Sequence, residues 1–211
     1  MWMDEQLLNI INQQVQDEEA ILYEATVKNG IQTGLLETEN LTLHFIEQTL
    51  LNNQIRLRLP QEFTTMASEQ AELKYPSPCR PNLILTDAST TVNFAFNHTL
   101  TPLKPAHIEE YKQTMMQAIV KMQSSAQFLE DGIKEINGLP VGFFEFISPA
   151  LDGDIYNLAG FTPLKGRALL INFNCFETDM PIWRPIAFGI LDSLELIDSH
   201  ENATHRGGLI R

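Results

Sequence analysis

Residues Asn137–Phe146 read NGLPVGFFEF, and the reading of this stretch decides the fold. Asn-Gly is the dipeptide that a two-residue hairpin turn selects, because both central positions need positive φ. Strand-like residues flank it, IKEI before and LPVGFFEFIS after. Downstream come DIYNLAGFT, a turn signal at Leu164–Gly166, and RALLINFNCF, which is rich enough in aliphatic residues for a central strand. Three consecutive antiparallel strands are therefore expected, and with flanking helices they make an α+β fold.

Working back from this stretch, PAHIEEYKQTMMQAIVKMQSSAQFLEDG predicts one long helix. Ile108, Tyr111, Met115, Ile119, Met122, Ala126 and Leu129 recur every three or four residues, and Gly132 is read as the stop. NLILTDA and TTVNFAFNHT, separated by an Asp/Ser/Thr cluster, predict an antiparallel hairpin. Before them stands KYPSPCRP, where Pro76, Pro78 and Pro81 fix φ and remove backbone donors. It reads as a stiff connector that delivers the chain into the sheet. EFTTMASEQAELK ahead of it carries helix formers. Beyond the sheet, MPIWRPIAFGILDSLELI predicts a helix whose stripe is Trp183, Ile186, Ile190 and Leu194, with Pro185 near its start.

The N-terminal section reads differently. Leu7, Ile10, Ile11 and Val15 argue for a short amphipathic helix over residues 3–16. ILYEATVK, Asn29-Gly30 and IQTGLLETE predict a hairpin, and LTLHFIEQTLL, Asn52-Asn53 and QIRLRLP predict a second ribbon. The chain thus divides into an acidic extension (1–53), a main domain (54–198) and a polar tail (199–211). The extension is expected to pack on the main domain, protecting a sheet edge or forming a symmetric dimer.

The 211 residues are 44% hydrophobic and 19% charged, the composition of a globular chain. Formal net charge is -13. Residues 1–54 hold nine acidic groups against one lysine, a balance that disfavours nucleic acid and anionic membrane as partners. The N-terminus lacks the basic and apolar regions of a secretory signal, so a cytoplasmic location is expected. Cys79 and Cys175 belong to no CxxC or His/Cys cluster, and they read as structural thiols.

From Gln54 onward, LPQEFTTM after the first strand, NGLPVGFFEF, RALLINFN and the closing WRPIAFGILDSLEL resemble the PsbP-like and DcrB-like fold group. The resemblance covers about three-quarters of the chain and implies an α/β/α sandwich with a central antiparallel sheet, to which the N-terminal helix and β-ribbon are added. Members include the extrinsic subunit of photosystem II, a Ran-binding release factor, bacterial envelope proteins and chaperones for type VI secretion effectors. What the group shares is binding rather than a reaction. No binding motif of the group maps onto this chain residue by residue.

Each candidate site in the sequence also has a structural explanation. Asp152-Gly153-Asp154 offers two carboxylates, but a hard cation wants six or more oxygens, and a turn uses Asp and Gly for backbone reasons. His200, Glu201 and His205 do not share the spacing of a helix face. His44, His98 and His107 stand apart, and no G-x-S-x-G elbow is present. No catalytic, metal or cofactor residue is assigned. Arg80 and Arg184, held between prolines, together with Met116 beside the helix stripe and Trp183, are the candidate partner-binding residues. The function expected is a non-catalytic protein-binding module: an adaptor, a secretion-effector chaperone or an immunity-type protein. The alternatives are a small-molecule-binding, hydrolase-like enzyme with a site assembled on the sheet, or a structural subunit of a phage-like or secretion assembly.

Overall fold

The computed structural model describes residues 2–76 and 80–197. In chain order its elements are α1 (Trp2–Thr33), β1 (Leu35–Glu37), β2 (Thr42–Leu50), β3 (Ile55–Pro60), β4 (Thr64–Thr65), α2 (Ser68–Lys74), β5 (Leu83–Thr86) and β6 (Asn93–Pro102). Then follow α3 (Ile108–Met122), β7 (Gln127–Ile136), β8 (Leu139–Ser148), β9 (Ile155–Leu164), β10 (Arg167–Phe176), α4 (Met180–Asp192) and β11 (Glu195–Leu196). Pro78, Cys79 and the tail histidines lie outside the described residues.

The Asn137–Gly138 turn forms as expected, with φ of 50° and 77°, and joins β7 to β8. Seven strands make the central sheet in the order β4-β5-β6-β10-β9-β8-β7, and every pairing in it is antiparallel. RALLINFNCF is its middle strand. A second sheet, β1-β2-β3-β11, is also antiparallel. The turn between β2 and β3 holds Leu51, Asn52 and Asn53 at positive φ.

Alternation along the strands sends side chains to two cores. On one face Phe144, Phe146 and Phe161 pack under Ile108 and Tyr111 of α3. Beside them, Ala71 of α2 covers Ile84 and Ala95. On the opposite face Phe94, Phe96, Tyr156 and Phe173 meet α4, β3 and the end of α1. The α4 stripe expected from the sequence is buried there: Ile186, Ile190 and Leu194 have no exposed surface. Each such aliphatic side chain stabilises the fold by about 1.5–3 kcal/mol. Trp183 lies against Phe63 and Phe173, with ring centroids 5.9 Å and 6.1 Å away. Helices on both faces of one antiparallel sheet complete the α/β/α sandwich.

Two expectations need correction. The first is the hairpin at Asn29-Gly30: α1 runs straight through it to Thr33, and the hairpin lies one segment later, between β1 and β2. Tyr23, Val27 and Ile31 recur every four residues and dock on the α4 side of the core, so the period is helical. Gly30 serves contact instead of a turn: a β-carbon there would stand 2.9 Å from the Leu36 Cβ. The second is the long helix, which stops at Met122; residues 127–136 are β7. Phe128 turns onto Phe144 and Phe146 of the sheet, and Gly132 lies beneath the Phe143 ring. No described helix is long and apolar enough to cross a membrane.

Candidate functional site

The outer face of α4 carries Arg184, Phe188 and Asp192 four residues apart, so they form one row along the helix. Opposite the buried stripe, this row is the floor of a groove of about 930 Å³. One wall is β7, which contributes every residue from 130 to 136, continued by Asn137 of the turn. An unbroken run of that kind means that the strand borders the groove with its backbone edge. The other wall is α1, β2, β3 and Glu195.

Ion pairs hold the floor and walls. Lys134 Nζ is 2.7 Å from Asp192 Oδ1, and both Lys134 and Arg184 stand 5.2 Å from the Phe188 ring centroid. Arg56 reaches Glu47 at 3.4 Å and Glu195 at 3.7 Å. Arg58 donates from Nη1 to the carbonyls of Ile31 and Gln32 at 3.2 Å and 2.8 Å, closing the C-terminal end of α1. Its own amide donates to Ser193 Oγ at 2.9 Å.

At the inner end of the row Arg184 meets Glu145, a carboxylate with no exposed surface. Nε donates to Oε2 at 2.7 Å and Nη2 to Oε1 at 2.8 Å, a bidentate pair. Nη2 also donates to Glu130 at 2.8 Å, and the Tyr156 hydroxyl donates to Glu145 Oε2. The Glu145 carboxylate holds the Arg184 pKa above the ordinary arginine value. Burial, and next to it the same carboxylate, pushes the Tyr156 phenol well above its usual range. The bidentate pair and the Tyr156 hydrogen bond fix α4 to the sheet.

Across the sheet, Lys112 is almost completely buried, 2.9 Å from Glu109 and 2.7 Å from Asp131. Burial opposes its charge, but the hydrogen bonds it donates to Asp131 and Glu109 outweigh it and raise the pKa. This pair ties α3 to β7. Cys175 is buried, which pushes its thiol up to about 12.

The four residues singled out in the sequence do not converge. Arg184 is in the groove and Trp183 is in the core beneath it. Met116 is half-buried under α3, and Arg80 donates to the Tyr75 carbonyl at 2.9 Å beside α2. Asp152 and Asp154 edge a shallow hollow with Glu177. Among the described residues no three His, Cys, Asp or Glu side chains are placed to hold a metal ion. Phe188, Lys134, Arg56 and Glu145 belong to the site or its support and were missed. The one available signal was Glu145, a lone charge within FFEFIS.

No family model and no curated protein matches the sequence. Solved structures do. The solution structure of cyanobacterial PsbP (CyanoP) from Synechocystis sp. PCC 6803 superposes with a TM-score of 0.57 at 11% identity, covering 72% of this chain and 92% of that one. The fold is PsbP-like. Looser matches are a protein of unknown function from Pseudomonas aeruginosa (TM-score 0.45, 12% identity, 74% of this chain and 99% of that one) and LpqN, involved in cell envelope biogenesis of Mycobacterium tuberculosis (0.44, 13%, 74% and 92%). At these identities the PsbP-like likeness concerns the fold alone.

Proposed function

We propose that this PsbP-like chain is a non-catalytic protein-binding module, of the adaptor, chaperone or immunity type, and that its partner docks in the groove between α1, α4 and β7. The observation that carries this reading is the way the groove's charges are spent. Arg56, Arg58, Lys134 and Arg184 each hold a protein partner, which presets the shape of the walls and leaves these groups without a free role in bond-making. A preset groove binds at lower ordering cost than one that must form on contact.

The test places photo-crosslinking residues at Lys28 and Arg56 in the groove and at Glu110 on the α3 side. The same protein must crosslink from both groove positions and not from position 110. Once purified, it must bind the unmodified chain, and the Glu24→Lys, Glu47→Lys double variant, at two groove-lining positions, must weaken that binding about tenfold. Crosslinks confined to position 110, or equal affinity for the variant, refute the reading.

A further inference from the structure

We infer that the free edge of β7 accepts an extended, positively charged segment of the partner as an eighth strand of the central sheet. This rests on the groove being the docking site. Four strands end the two sheets, and three of them are stubs: β1 has three residues, β4 two and β11 two. Short edges are a common defence against unwanted pairing. β7 is different, with ten residues, and it pairs with β8 alone.

Its irregular register is confined to one end, between Phe128 and Asp131; from Asp131 to Ile136 it matches β8 residue for residue. That leaves six consecutive residues in regular register, of which every second one turns its N–H and C=O away from β8 toward the groove. The groove volume of about 930 Å³ suits one segment and not a second domain, since single-ligand clefts run to about 1,000 Å³.

Charge selects the segment. The groove lining holds seven acidic and five basic side chains, and the whole chain carries -13. Asp131, Ile133 and Glu135 share the α3-side face of β7, and all three are exposed. An incoming strand places alternate side chains beside them, where opposite charges on neighbouring strands attract. Lysine or arginine fits beside Glu135, and beside Asp131 next to its Lys112 contact, with an apolar residue beside Ile133, which is 48% exposed. The other face of the incoming strand turns toward Phe188 and Pro185 on the floor, which favours apolar side chains.

The probe is a synthetic peptide of pattern Lys-Val-Val-Val-Lys, which sets lysines beside Asp131 and Glu135 and valine beside Ile133, titrated against the full chain and followed by amide hydrogen exchange. Saturable binding with new protection of the alternate amides within 131–136, those that point away from β8, is expected. Methylating alternate peptide nitrogens, which leaves the protein untouched, must weaken binding about tenfold or more. Glu135→Lys, a change at an exposed position, must weaken it as well. Equal binding of the methylated peptide overturns the inference, as does a chain that pairs β7 with β7 of a second copy. If the purified partner crosslinks in the groove while those alternate amides gain no protection, strand addition falls and the docking groove stands. If nothing crosslinks there, both fall.

Discussion

Gly30 faces Leu36 so closely that a methyl group has nowhere to go: the positions 2.9 Å and 3.0 Å away belong to the Leu36 Cβ and to backbone atoms of Leu35 and Leu36. Backbone does not swing aside as a side-chain tip does. Gly30→Ala is therefore expected to cost about 1–3 kcal/mol despite the better helix propensity of alanine, read as a lower urea midpoint with an unchanged slope. Glu145 sets a larger cost. Glu145→Ala leaves Arg184 and Tyr156 without their shared acceptor and is expected to destabilise by about 3–5 kcal/mol. Glu130→Gln, at the exposed end of the same cluster, should cost no more than about 1 kcal/mol. Equal losses in the two variants would show that the buried carboxylate is not what anchors α4.

Between elements, the Lys112 pair joins α3 to the edge strand. Its raised pKa stabilises the folded state below the ordinary lysine range, and that contribution fades as pH climbs through the folded value. The stability difference between the parent and Lys112→Met should hold through neutral pH and shrink above about pH 10.4; a constant difference would mean packing alone. At this scale the sequence was legible where a local signal and the tertiary need coincide. The Asn137–Gly138 turn, the three strands after it and the α4 stripe all fall in that class. Legibility failed where the local signal was ambiguous. Asn29-Gly30 resembles a turn, yet Val27 and Ile31 dock as a helix. Ala126 and Leu129 continue a helical spacing, yet Phe128 finds more aromatic surface in the sheet. The groove was nearly invisible because its parts come from seven separate elements and only Arg184 stood out by its neighbours.

The core on the α4 side of the sheet joins the N-terminal section to the rest of the molecule. Val27, Ile31, Leu36, Leu43 and Phe45 pack in the same cluster as Phe94, Tyr156 and Ile190. A chain truncated to residues 54–197 opens that cluster to water, and it should lose its sharp thermal transition and near-ultraviolet circular dichroism. A truncated chain that melts cooperatively at the parent temperature would show that the extension is a separate unit.

The contact between Gly189 and Ile31 has a further consequence, for biosynthesis. These residues touch across the α1–α4 interface, yet the ribosome makes one long before the other, with nearly the whole sheet in between. At about 5–20 residues per second the first helix waits on the order of ten seconds or more for its mate. During that interval Val27 and Ile31 are uncovered, so the nascent protein presents a sticky end that a holding chaperone, or too much crowding of polysomes, will find before α4 does.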